Sequence, residues 1–204
     1  MATDPTNETP DLRLRPGCRI AAIVSRYHGE LTGAMARSAR AELEAHGLAP
    51  RDLVELAAPG AFELPVIASE LARREDIDAV LCFGLVLKGE TEHDRHIARA
   101  VAHGLVEIGL RERKPVLFGV LTCNTLAQAR ARALSAAEGG EQDKGREVAR
   151  AAIEALGALD LARDLPTAGT RFSRLGDQGP LTDIALAPVH SDPSEGAAEA
   201  ANPS

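Results

Sequence analysis

Tryptophan is missing from the 204 residues, tyrosine occurs once and phenylalanine four times. With so few rings, the place of each one carries information. Cysteine is scarce as well: Cys18, Cys82 and Cys123 are odd in number, widely spaced and form no CxxC pair. That excludes a disulfide framework and fits a reducing, cytoplasmic setting. Positive charge is in deficit, with 23 Lys and Arg against 30 Asp and Glu and a formal net charge of −7. A general nucleic-acid binder needs basic surface to neutralise phosphates, so the balance argues against nucleic acid as a partner. No apolar run approaches the roughly 20 residues that span a bilayer, so no membrane role is expected. The first stretch, MATDPTNETPDLRLRPG, has no apolar core of the kind a secretory leader carries. Neither GxGxxG nor a Walker motif is present, which removes the usual dinucleotide and triphosphate loops.

What is there is a chain 45% hydrophobic, long enough for one domain with a real core and tails. Residues 1–16, rich in Pro, Thr, Asp and Asn, are expected to be a disordered arm. From 164 to 204 the pattern fades and ends in SDPSEGAAEAANPS, so a largely disordered tail is expected there. The domain is placed at 17–163. Within it CRIAAIVS, DLVELAA, AVLCFGLVL and PVLFGVL read as short buried strands. Leu31, Ala34, Met35, Ala39 and Leu43 mark a helix between the first two. LPVIASELARR reads as a second, with Pro65 tolerated in its first turn. Ile97, Ala100, Val101, Gly104, Leu105 and Ile108 mark a third, and two more are expected near Leu126–Ala137 and Lys144–Ala162. Strands apolar on both faces and alternating with helices imply an α/β three-layer sandwich, its four-stranded parallel sheet flanked by helices. In such sheets ligands sit beyond the carboxyl ends of the strands.

Those ends hold SRYHGE, PGAFE, KGETEH and TCNT. Tyr27 and Phe62 lie just past strand ends and Phe118 lies in the fourth strand, so three of five aromatics are candidates for a slot that takes a flat ring. The alternative is that Phe62 and Phe118 are ordinary core. In GETEHDRH, Thr91 and Asp94 have capping-box spacing, which makes Thr91 a candidate N-cap. The same helix start suits an anion such as phosphate. His93 is either a surface residue or a base that titrates near neutral pH. His93 and His96 are three apart, but no third ligand has suitable spacing, so no metal is expected.

Taken in order, the blocks PGAFELP at 59–65, KGETEH at 88–93, PVLFGVLT at 115–122, QARAR ending at Arg132 and KG at 144–145 resemble the lumazine synthase family over about Ile20 to Leu156. The resemblance implies a flavodoxin-like fold and a transferase of riboflavin biosynthesis, without a cofactor. Such an enzyme condenses 5-amino-6-(D-ribitylamino)uracil with 3,4-dihydroxy-2-butanone 4-phosphate to give 6,7-dimethyl-8-ribityllumazine, phosphate and water. It implies pyrimidine and ribityl contacts from Tyr27, Ala61, Phe62, Glu63, Leu85, Val86, Leu87 and Lys144, with Phe118 lent by a neighbouring subunit. Glu90, Thr91 and Arg132 would hold the butanone phosphate, and His93 would be catalytic. The partners implied are two small-molecule substrates, a homopentamer with active sites between subunits, and riboflavin synthase. Some members pack twelve pentamers into a capsid, and these tend to have a short link between the last two helices. Here LSAAEGGEQD, made flexible by Gly139 and Gly140, lengthens that link and favours a free pentamer. Departures are His28 for an Asn, Tyr27 for Phe or Trp, Asp94 for an aromatic, and DKG for NKG. Two rival readings are a riboflavin synthase of archaeal type and a non-catalytic lumazine- or flavin-binding or shell-forming homologue. The intact PGAFE and GETEH blocks argue against the first, and retained His93 and Arg132 against the second.

Overall fold

In the computed structural model of the chain, residues 13–165 are described. β1 (Ile20–Ser25) and β3 (Ala79–Leu87) are the inner strands, and Ile20–Ile23 and Ala79–Val86 are buried without a break. Unalternated aliphatic runs of this kind fit only strands covered on both faces. β2 (Leu53–Ala58) and β4 (Val116–Cys123) are the edges of a wholly parallel sheet in the order β2-β1-β3-β4. This is the flavodoxin-like order with one strand fewer, as the resemblance implies. β2 departs from the expectation of two apolar faces: Glu55, Leu56 and Ala57 are exposed on this edge strand, which no further strand among the described residues flanks.

Among the described residues five helices cover the sheet. α1 (Gly29–Ala45), α4 (Leu126–Ala133) and α5 (Lys144–Arg163) bury Leu31, Met35, Leu43, Ala129 and Ile153 against Phe83 and Leu85 on one face. α2 (Leu64–Arg73) and α3 (His93–Glu112) bury Leu64, Ala68, Val101 and Leu105 against Ile23, Val80 and Cys82 on the other. Pro65 stands in the first turn of α2, where a missing N–H costs nothing. The fourth helix is shorter than expected. It ends at Ala133 because Leu134 turns extended and packs partly buried against the core, and a single 3-10 turn over Ala136–Glu138 follows.

The link after α4 is also more tightly built than its two glycines suggest. Ser135 and Glu138 form a capping box, and Gly139 takes the left-handed φ of 86° that closes the turn. The N–H groups of Glu141 and Gln142 both donate to the Ala131 carbonyl, at 2.7 and 3.1 Å. The flexible link of the sequence reading is thus a hydrogen-bonded turn.

α1 and α5 lie unusually close. A Cβ on Gly145 would come within 2.1 Å of the Met35 carbonyl oxygen, so only glycine allows this approach. Two further links lock the pair. Ser38 Oγ donates to Asp143 Oδ1 at 2.6 Å. The carboxylate of Glu42, only 7% exposed as a residue, accepts from Arg146 Nε at 2.8 Å and Arg150 Nε at 2.6 Å.

Ordered packing begins before residue 17. Leu14 is buried and its N–H donates to the His46 carbonyl at 3.0 Å, while Arg15 pairs with Asp78. The rest of the arm, 1–12, and of the tail, 166–204, lies outside the described residues. Among the described residues no helix is long and apolar enough to cross a membrane.

Candidate active site

β1 and β3 are neighbours, yet the chain leaves them on opposite faces of the sheet: α1 follows β1 and α3 follows β3. A crevice opens at such a reversal, beyond the carboxyl ends. The register sharpens it. β1 pairs with β3 only as far as Val24↔Phe83, whereas β3 and β4 stay paired to Leu87↔Cys123. Gly84–Leu87 therefore run on for about 13 Å at the usual rise per residue with no strand partner on the β1 side. Their amide edge is a ledge of directional donors and acceptors. Leu85 and Val86 are buried and Leu87 half-buried on this ledge.

The loops after β1 and β2 lie at the same carboxyl end of the sheet. Arg26 N–H donates to the Ala58 carbonyl at 2.8 Å and Tyr27 N–H to the Pro59 carbonyl at 3.3 Å, so the two loops are tied together. They carry Tyr27, 68% exposed, and Phe62, 60% exposed. Ala61 is buried behind them, and Glu63, half-buried, opens α2. Phe62 is thus not a core residue.

The other half of the crevice lies where α3 begins. Lys88, Glu90, Thr91, Asp94, Arg95 and Asn124 line a cleft of about 400 Å³. The residue before α3 is Glu92 rather than Thr91, and no side chain caps it. Thr91 Oγ accepts only from the first helical N–H, that of His93, at 3.4 Å, and Asp94 closes no box. The start of α3 thus lacks the side-chain cap that would have used up its donors. His93 is exposed there.

α4 brings a cation to the same corner. Thr125 caps it, accepting from Gln128 N–H at 3.2 Å, and Gln128 Oε1 accepts from Asn124 N–H at 2.9 Å. Arg132 is half-buried and donates to the Gln128 carbonyl at 3.1 Å. Its charge reaches Cys123, whose backbone carbonyl accepts from Lys88 N–H at 2.9 Å. Burial raises the Cys123 thiol above its ordinary value and Arg132 offsets this only in part, so it is no thiolate nucleophile at neutral pH. Arg130 points elsewhere, to Glu30 Oε2 at 3.4 Å.

Two expected site residues stand apart within one chain. Phe118 pairs with Cys82, five residues short of the end of β4, which is about 16 Å from the carboxyl edge. It is 43% exposed on the edge strand, so neither the single-chain slot of three aromatics nor a core role describes it. Lys144 opens α5 and pairs with Glu147 Oε2 at 2.5 Å, and its neighbour Gly145 abuts Met35, well down α1 from the crevice. Sequence reasoning missed Asn124, Lys88 and Arg95 as lining residues. The spacing Thr125-x-x-Gln128 was the available signal for the turn that presents Asn124. Among the described residues no group of three or more His, Cys, Asp or Glu is placed to hold a metal ion.

A crevice with exposed rings and an open amide ledge at one end, and a helix start with a half-buried guanidinium at the other, suits a ligand pair: a flat polar ring and a small anion. The comparisons agree with this chemistry. A family model described as 6,7-dimethyl-8-ribityllumazine synthase matches residues 17–160. The chain is 42% identical over 153 residues to the 6,7-dimethyl-8-ribityllumazine synthase of Frankia casuarinae, covering 75% of this chain and 91% of that protein. It is 41% identical over 138 residues to that of Aquifex aeolicus, covering 68% and 87%. For that of Thermus thermophilus the identity is 38% over 145 residues, covering 71% and 89%.

Proposed function

The chain belongs to the 6,7-dimethyl-8-ribityllumazine synthase family, and from that membership we propose how its own residues carry the reaction. The activity is that of a riboflavin-pathway transferase. It joins 5-amino-6-(D-ribitylamino)uracil to 3,4-dihydroxy-2-butanone 4-phosphate and releases 6,7-dimethyl-8-ribityllumazine, phosphate and water. The pyrimidine stacks on Tyr27 and reads the amide ledge of Leu85, Val86 and Leu87. Its ribityl chain runs along Ala61, Phe62 and Glu63. The butanone phosphate sits between Glu90, Thr91 and the guanidinium of Arg132.

The amine attacks the ketone and an imine forms with loss of water. Phosphate leaves, the resulting enol tautomerises to a ketone, and the ring closes as the ribityl-bearing nitrogen attacks that carbonyl and a second water is lost. Each step moves a proton, and His93, at the head of α3 between the two halves, takes and returns it. Holding both substrates in one crevice supplies most of the acceleration, because it replaces a chance encounter by a fixed approach. Donors around the phosphate stabilise the charge on the leaving group.

The observation that supports this reading is the switch-point crevice itself, with the unpaired edge of Gly84–Leu87, the exposed ring of Tyr27 and the cleft at the start of α3. Phe118 and Lys144 act in the site of an adjoining copy or at its border, in a homopentamer whose sites lie between subunits. Supporting this is the exposure of Tyr27, Phe62 and Phe118, rings that one chain leaves in water. The reaction belongs to the cytoplasm, where buried free thiols such as Cys18, pushed up to about 12 by burial and the Asp78 charge, stay reduced. Riboflavin synthase takes up the product. The deciding experiment mixes the full-length protein with both substrates and follows lumazine absorbance and phosphate release. Equal formation of both supports the reading. Tight binding of pyrimidine or lumazine with no phosphate released would instead establish a carrier.

A further inference from the structure

Tyr27 has little to hold its ring. The residue is 68% exposed, and among the described residues its one ring contact is the imidazole of His28, T-shaped at 4.7 Å between centroids and 72° between planes. The backbone around the pair is fixed on every side. Arg26 and Tyr27 are tied to the loop after β2. The His28 carbonyl accepts from Leu31 N–H at 2.9 Å and Thr32 N–H at 3.2 Å, and Thr32 Oγ, buried, donates to the Ser25 carbonyl at 2.7 Å. What the backbone leaves unset is the rotation of the tyrosine side chain, and the imidazole of His28 is the ring packed beside it.

His28 also occupies a costly position. Its φ of 58° and ψ of 39° are left-handed, a region where glycine or asparagine sits with least strain. The imidazole makes no cap hydrogen bond to α1, so capping does not explain it. A strained residue whose side chain makes one ring contact, beside a ligand crevice, is the pattern of stored strain at a functional site.

We propose that His28 is a positioning residue: its imidazole, in a T-shaped pair, holds the Tyr27 ring as a preformed stacking face for the pyrimidine. This rests on the reading that the pyrimidine stacks on Tyr27. An ordered platform spares the cost of freezing a side chain on binding. Edge-to-face pairs of this kind correspond to about 3–10-fold in affinity.

The test uses the full-length protein. His28→Gly removes the ring and relieves the left-handed strain, and His28→Asn removes the ring while keeping a residue suited to that φ. Both should raise KM for the pyrimidine about 3–10-fold, leave KM for the butanone phosphate at the wild-type value, and melt no lower than wild type. His28→Phe should restore the pyrimidine KM even where the melting temperature falls. A second readout needs no turnover. Tyr27 is the only tyrosine and there is no tryptophan, so the anisotropy of tyrosine emission reports this ring alone, and it should decrease in the Gly and Asn variants. An unchanged pyrimidine KM and anisotropy in both variants would overturn the proposal, as would a joint rise of both KM values with a lower melting temperature. Tyr27→Leu separates the levels. If it too leaves the pyrimidine KM unchanged, the stacking reading itself is wrong. If it raises that KM while His28→Gly does not, only the role of His28 fails.

Discussion

Arg132 and Arg130 sit two positions apart on one short helix, yet their environments differ. Arg132 is half-buried against the end of β4, with its charge felt at Cys123, while Arg130 reaches Glu30 from the surface. Arg132→Ala should therefore raise KM for the butanone phosphate and spare pyrimidine affinity. A phosphate deprived of a desolvated partner loses about 2–5 kcal/mol. Arg130→Ala should change both affinities little. Steady-state kinetics with each substrate varied in turn checks this, and a wild-type phosphate KM for Arg132→Ala would remove the residue from the site. The histidines make a similar pair. His93 opens α3 beside the cleft, and His96 follows three residues later, also exposed. His93→Ala should slow turnover about 100-fold or less, since the reacting amine and ketone need little help, and leave pyrimidine binding intact. A larger loss in His96→Ala than in His93→Ala would reverse the assignment.

At the scale of elements, the α1–α5 pair holds the framework that presents the β1 loop. Glu42 is its buried charge. Burial pushes the carboxyl up, but the hydrogen bond from Arg150 and the charges of Arg146 and Arg150 outweigh it, and the net effect is a lowered value. A group lowered in the folded state adds stability that is complete above its unfolded value, near 4.3 for Glu. That stability is lost as pH falls through the folded value. Glu42→Gln should thus cost about 1–3 kcal/mol at neutral pH, with the deficit shrinking as pH drops below about 4. Urea melts of both proteins between neutral and acid pH measure the difference. A gap that stays constant or widens toward acid would show that the ion pairs do not stabilise the fold.

For the whole molecule, the decisive features are rings left in water and a link that is long but ordered. Phe118 lies on the edge strand, far from its own crevice, which is what a residue serving a neighbour requires. The turn after α4 is capped and hydrogen-bonded to Ala131, so its extra residues form a fixed projection. A fixed projection obstructs packing between pentamers more than a flexible one would. The expected species at neutral pH is a free pentamer, and light scattering on the full-length protein decides it. A megadalton particle would contradict the free pentamer, and an active monomer would contradict the shared site as well.

Much of this was legible before any coordinates. Four short aliphatic runs separated by helical spacing could only be a covered parallel sheet, because strand and helix periods are local and survive in the bare sequence. The bounds of β3, Ala79–Leu87, coincide with the run AVLCFGLVL. The blocks PGAFELP and KGETEH marked the crevice because both follow strands, and chain order already places strand ends together in such a sheet. Less local features were not legible. The overshoot of β3 past β1 depends on register between strands more than fifty residues apart. The early end of α4 follows from Leu134 finding a place in the core, and the ordered link from carbonyls it could reach only once folded. The left-handed turn at His28 and the place of Phe118 part-way along the edge strand belong to the same class. Periodicity reports which residues are buried, since that is a property of short segments. Which buried or exposed groups meet depends on long-range packing, and that arises only when the layers close on one another.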